Sequence, residues 1–186
     1  TTKGKTTFPN GNKYIGDHKK GKFHGSGTMY FLAEGKNKGD RYIGEYKNNK
    51  KHGKGKYIFS NGRIYEGEYK EGSATGIGTS TYPNGDTYVG EHKDGLGYGF
   101  GKYSYGSGQF NGDIYEGGVG EDFYWHGHGK YIWANGKIYE GEYKAGKKHG
   151  KGKMNWPDGD MYNGDFLDDT LNGWGKYIWA DGDMYV

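Results

Sequence analysis

The 186-residue sequence predicts an all-β chain of β-hairpins stacked into an elongated, single-layer antiparallel sheet. Three observations predict it. A Tyr-x-Gly motif returns every 23 to 28 residues, the apolar spacing has a period of two, and a Gly-x-Gly step is followed by an aromatic residue and Asn-Gly or Asp-Gly. The motif opens at Tyr14, Tyr42, Tyr65, Tyr88, Tyr115, Tyr139 and Tyr162, and Tyr185 begins an eighth unit.

Each element of a unit follows from local physics. In YIGEYK, Tyr42, Gly44 and Tyr46 share one face, and Ile43, Glu45 and Lys47 share the other. An acid follows the motif in six units, at Asp17, Glu45, Glu68, Glu91, Glu142 and Asp165, whereas Gly118 stands there in the fifth. An acid present once per unit reads as structural, pairing with a lysine or a turn amide. In GKGKYIF, Gly53, Gly55, Tyr57 and Phe59 line up on one face. Gly44, Gly53 and Gly55 leave flat ground on which a ring from a neighbouring strand can lie, and their regular use predicts a strongly curved sheet. Asn61-Gly62 predicts a two-residue type I′ turn, with positive φ at both central residues. No stretch carries a capped helical stripe. The first and fourth units hold insertions, FLAEGKNKGDR and SYGSGQFNGD, each after the second strand. Both are expected on one edge of the sheet. A cluster of insertions can mark a binding face, although drift in a surface loop is the plainer reading. The units form one array over residues 1–186, with partial repeats at both ends.

Composition alone points to disorder, because Gly accounts for 40 residues and aliphatics are few. A net charge of +3 and an aromatic content of 18% argue otherwise. A buried ring removes roughly 150–250 Å² from water, so a core of rings on glycine is feasible. Without cysteine there is no disulfide or thiolate chemistry, which fits a reducing compartment. No 18-residue apolar run and no secretory leader is visible. The start at Thr1 reads as a fragment or a processed chain, and the ending on Tyr185-Val186 leads one to expect further sequence.

YEGEYKEGSATGIGTSTYPNGDT and YEGEYKAGKKHGKGKMNWPDGDM resemble MORN repeats, the membrane occupation and recognition nexus motif. The resemblance runs from about Gly4 to Val186. It implies an open, twisted antiparallel sheet with an aromatic concave groove, and docking of a partner protein or dimerisation. The settings it implies are cytoplasmic, either cytoskeletal and ciliary or at a membrane. Phospholipid binding is a less secure association of the family.

The aromatic stripe is the leading functional feature. Candidate groove residues are Tyr115, Tyr131, Trp133, Tyr139, Trp156, Tyr162 and Trp179, because Trp is enriched in the C-terminal half and Tyr and Trp are favoured anchors. The expectation is a non-catalytic scaffold that holds a partner helix or peptide and self-associates as a homodimer. A rival reading uses a basic edge to touch anionic lipid, through Lys19, Lys20, Lys22, Lys50, Lys51, Lys147, Lys148 and Lys151. Solubility and protection of strand edges explain those lysines more plainly. A third reading makes the array the regulator of an enzyme lying outside these residues. Recurrent His24, His52, His126 and His149 mark the place before the first Gly of Gly-x-Gly, so no metal site is expected. No catalytic constellation, cofactor or nucleic-acid track is expected either.

Overall fold

The computed structural model describes residues 1–121 and 123–186. The strands are β1 (Thr2–Thr7), β2 (Lys13–Lys19), β3 (Lys22–Tyr30), β4 (Arg41–Lys47), β5 (Lys50–Ile58), β6 (Ile64–Lys70), β7 (Ser73–Thr81) and β8 (Thr87–Lys93). They continue as β9 (Leu96–Ser104), β10 (Ile114–Val119), β11 (Trp125–Ile132), β12 (Ile138–Lys144), β13 (Lys147–Asn155), β14 (Met161–Leu167), β15 (Thr170–Ile178) and β16 (Met184–Tyr185). Their order in the open antiparallel sheet is their order in sequence. Among the described residues there is no α-helix, and a single 3-10 turn lies at Gly108–Phe110, inside the second insertion. Among the described residues no helix is long and apolar enough to cross a membrane. Contacts divide the chain into two compact units. Thr1–Pro83 with Val89–Leu96 make the first, and Asn84–Tyr88 with Gly97–Val186 make the second.

The two kinds of turn correct the sequence expectation. Positive φ at both central residues occurs not at Asn-Gly but between the paired strands of six hairpins. Asn48 and Asn49 stand at 53° and 71°, and the same pattern holds at Lys20-Gly21, Glu71-Gly72, Asp94-Gly95, Ala145-Gly146 and Asp168-Asp169. At the Asn-Gly turns only the glycine is left-handed, as at Gly62, where φ is +88°. There Gly62 N–H donates to the Phe59 carbonyl and Phe59 N–H donates to Arg63. Asn61 is chosen for its side chain, which accepts the Arg63 N–H at 3.0 Å. Asn10, Asn84, Asn135, Asp158 and Asp181 accept the amide two residues on in the same way. Both insertions, between β3 and β4 and between β9 and β10, replace turns of this second kind.

The hairpins carry bulges, and the Tyr-x-Gly-acid motif satisfies the polar groups that a bulge strands. Between β4 and β5 the register slips between Gly44 and Tyr46. Tyr42 Oη donates to the Glu45 carbonyl at 3.1 Å, and the Glu45 carboxylate accepts the Lys54 N–H at 3.0 Å. The pair recurs at Tyr14 and Asp17, Tyr139 and Glu142, and Tyr162 and Asp165. Where Gly118 replaces the acid, Tyr115 Oη still reaches the Gly118 carbonyl at 2.8 Å. Gly53 is therefore not flat ground. It is the left-handed bulge residue, with φ +60°, beneath the Glu45 carboxylate. The flat ground is Gly44 and Gly55, and the ring on it is Tyr42. A Cβ on Gly55 would sit 2.3 Å from Tyr42 Oη.

In the first unit Tyr14, Phe23, Tyr42, Tyr46, Tyr57, Tyr65, Tyr69 and Ala74 form the core. Rings meet edge-on along β2, β4 and β6, with Tyr14 to Tyr46 at 5.0 Å and Tyr42 to Tyr69 at 4.9 Å between centroids. The second unit repeats the scheme with Tyr115, Tyr131, Tyr139, Tyr143, Met154, Tyr162 and Phe166. Each edge-on pair adds about 0.5–1.5 kcal/mol beyond area burial. The other face is ionic. In register across β5 and β6, Lys54 faces Glu68 and Lys56 faces Glu66, the latter an ion pair at 2.5 Å. Such exposed pairs contribute about 0–1 kcal/mol each.

Candidate protein-binding face

The predicted groove residues separate into two groups. Tyr115, Tyr131, Tyr139 and Tyr162 are core, at 0 to 6% exposure, so they support the face without offering surface. Trp133 and Trp156 are half-buried, and Trp179 is exposed. These three end a second strand or open the turn after it, on the tyrosine face. Tyr105 joins them in the second unit, and Phe8, Phe31 and Phe59 take the corresponding places in the first. Each leans on a ring two residues earlier where one is present: Tyr131 to Trp133 at 4.5 Å, Tyr177 to Trp179 at 4.9 Å, and Tyr57 to Phe59 at 4.5 Å. The period-two reading could not rank these rings by exposure, because all fall on one face. Trp174, at 80% exposure, lies on the ionic face.

A carboxylate that sequence reading missed fixes the accessible row. Asp40 accepts the Tyr57 hydroxyl at 2.7 Å and the Ser60 N–H at 2.8 Å. Asp86 does this for Tyr103 and Gly106, Asp113 for Tyr131 and Ala134, and Asp160 for Tyr177 and Ala180. Wherever the Asp is missing, the Tyr is missing too. Asn12 goes with Met29, Arg63 with Ser80, and Lys137 with Met154. This co-substitution at a spacing of 17 or 18 residues is visible in the sequence once the repeats are aligned.

Arg63 and Lys137 put cations at the place where Asp40, Asp86, Asp113 and Asp160 stand in other units. The Arg63 guanidinium lies 4.0 Å from the Phe59 ring centre, and Lys137 Nζ lies 4.4 Å from that of Trp133. Burial, and then the neighbouring Lys148, hold the Lys137 ammonium below its ordinary range. Lys51 Nζ stands over three rings, 4.5 Å from Tyr57 and 5.3 Å from Tyr42 and Tyr69, and burial lowers it likewise. Burial raises the phenols, Tyr14 to about 12 with Asp17 adding to the shift. For Asp86, burial pushes the carboxyl up, but hydrogen bonds from Tyr103, Gly106 and Asn84 outweigh it and the net shift is downward.

The lysines of the rival reading are not one free edge. Lys19, Lys20, Lys22 and Lys147 are exposed. Lys50 pairs with Glu71 at 2.8 Å, Lys151 with Asp165 at 2.6 Å and Lys148 with Asp169 at 3.4 Å, while Lys51 turns in over the tyrosines. Among the described residues, no group of three or more His, Asp or Glu is placed to hold a metal ion.

No curated protein sequence matches the chain. Among solved structures, the TCP domain of SAS-4 (dCPAP) from Drosophila melanogaster, in complex with a proline-rich motif of Ana2 (dSTIL), is similar in fold. It is 12% identical, covering 98% of this chain and 88% of that one with a TM-score of 0.52. The TCP10 domain of Danio rerio CPAP, in complex with a peptide of Danio rerio STIL, is 10% identical over 100% of this chain and 98% of that one, with a TM-score of 0.36. The MORN repeat profile matches residues 14–31, 42–62, 65–87, 124–138, 139–161 and 162–184. Residues 88–123, which hold the second insertion and Gly118, fall outside it. With more than half of its residues matched and hairpin following hairpin in the sheet, the chain belongs to the MORN repeat family.

Proposed function

We propose that the chain is a non-catalytic scaffold that holds a helix or peptide of a partner protein on its tyrosine face. One observation carries this reading. The opening tyrosines from Tyr14 to Tyr162 are sealed into the core, yet a row of rings at the ends of the second strands stays accessible, including Trp133, Trp156 and Trp179. Rigid aromatic side chains on a strand scaffold lose little entropy on binding and make strong anchors. The fold neighbour solved with a proline-rich motif of another protein supports the reading as a precedent for this architecture.

The test replaces Trp133 and Trp156 with Ala and compares proteins captured from a cell extract by the wild-type and doubly substituted chains. Capture of a defined protein should fall at least about tenfold, the loss expected for a central anchor. Undiminished capture by a folded double variant overturns the proposal.

A further inference from the structure

The hairpin β6–β7 and the turn before it carry two residues, Ala74 and Arg63, that leave and line one cleft. The place two residues before the first Gly of Gly-x-Gly holds Phe23 in β3 and Trp125 in β11. Each stacks on the opening tyrosine of its hairpin, at 3.9 Å from Tyr14 and 4.3 Å from Tyr115. In β7 that place holds Ala74, and no ring fills it. Ser80 replaces the tyrosine that an Asp would tie, and Arg63 replaces the Asp. The result is an open cleft of about 270 Å³ in the first unit, lined by Lys51, Arg63, Tyr57, Phe59, Tyr69 and Ala74 among others.

Its chemistry is lopsided. Two cations sit over two touching rings, Lys51 over Tyr57 and Arg63 over Phe59. Arg63 uses one donor on the Gly95 carbonyl at 3.4 Å, out of the five a guanidinium carries. Among the described residues neither cation has a carboxylate within 4 Å; Asp40, tied to the Tyr57 hydroxyl, acts on Lys51 from farther off, and the acid of the lining is Asp94. Two like charges held against rings and partly out of water are stabilised by an incoming anion. The walls are apolar, which suits a carboxylate on a short hydrocarbon stem. Phe59 belongs to the accessible aromatic row, so the cleft opens onto the face assigned to the partner.

We propose that this cleft receives an Asp or Glu side chain of the partner segment, its carboxylate held between Lys51 and Arg63 with its stem against Tyr57 and Phe59. The proposal rests on the scaffold reading above and names the chemistry that the scaffold selects. It places the selective contact in the first unit, away from the Trp-rich strands.

A phage-displayed library of random short peptides, selected on the intact chain, tests it. Enriched peptides should carry an acid beside apolar residues and bind the K51Q/R63Q variant roughly tenfold or more weakly, as expected when one side of a charge pair is lost. The A74F variant keeps both charges and installs a ring like that of Phe23, and it should block binding equally. The K51R/R63K variant should bind as wild type. Circular dichroism and thermal melts establish that each variant folds, and A74F stands alone as the test if the charge variant does not. Enriched peptides without acidic bias, or peptides that bind A74F and K51Q/R63Q unchanged, overturn this inference and leave the scaffold reading standing. No enrichment of any peptide overturns both. Phosphatidylserine vesicles that bind wild type but not K51Q/R63Q, with no acidic peptide competing, would assign the cations to a lipid headgroup and overturn the peptide.

Discussion

The two units solve one packing problem with different residues. In the second unit Trp125 covers Tyr115 and Trp133 stands beside Lys137, so ring faces are occupied by the chain itself. In the first unit Phe23 covers Tyr14, and Lys51 and Ala74 occupy the next two such places, where the second unit has Lys148 and Leu171; it is Ala74 that leaves space beside the rings. The backbone platform is the same in both, with a tyrosine lying on glycines and tied to a bulge carbonyl. What differs is one side chain per hairpin, and that side chain decides whether a hairpin is closed or receptive. The platform sets the fold, and the variable place above it sets what the face can bind.

The comparison can be broken most completely with base. Burial raises phenols in both units, with the core Tyr14 and the half-buried Tyr105 pushed up to about 12. A phenol harder to ionise when folded contributes stability below its unfolded value of about 10, and that contribution is lost as pH rises through the folded value. Phenolate absorbance of the core tyrosines should therefore emerge together with loss of the strand circular dichroism signal, near or above pH 12. Full ionisation near pH 10 with the sheet intact would show that these rings are not sealed.

Alanine at the platform glycines is the next largest effect. A Cβ at Gly55 meets Tyr42 Oη at 2.3 Å, and one at Gly152 meets Tyr139 Cε2 at 2.6 Å. Both variants should lose about 3 kcal/mol in chemical denaturation, at the upper end for overpacking. Gly127 is the control. It is left-handed with open space around it, so G127A should cost only about 1–2 kcal/mol, from backbone strain alone. Equal losses at all three positions would remove the distinction between platform and bulge.

The smallest effect sharpens the comparison. Removing Asp113 or Tyr131 breaks a charge-assisted hydrogen bond of 2.6 Å. A double-mutant cycle over D113N and Y131F should give a coupling of about 1.5–3 kcal/mol. Zero coupling would show that the paired presence of Asp and Tyr has another cause.

The strands, the two faces and the edge that carries the insertions were legible in the sequence, because period two and the Tyr-x-Gly repeat depend only on local alternation. The turns were not. Asn-Gly is the strongest short hairpin signal, but Asn61 supplies a side-chain acceptor rather than a left-handed residue. The acid after Tyr-x-Gly was correctly read as structural, yet its partner, an amide freed by a bulge, needs the register to be known. Of the groove candidates, Tyr115 and Tyr139 could not be told from Trp133, since burial depends on which neighbour covers a ring and not on which face carries it.

The polar ties of Tyr42, Glu45 and Asp40 all close within the hairpin β4–β5, whereas Tyr42 meets Tyr69 of the next hairpin ring to ring. Those three ties are internal to one hairpin, while its borders are a backbone ladder and turn bonds that recur from unit to unit, such as Asn49 N–H to the Phe23 carbonyl and Gly72 N–H to the Lys51 carbonyl. Duplicating or deleting one whole unit of the gene recreates the border bonds that recur from unit to unit. Length and pattern of such an array can change by whole units in a single genetic event without a new fold having to be found.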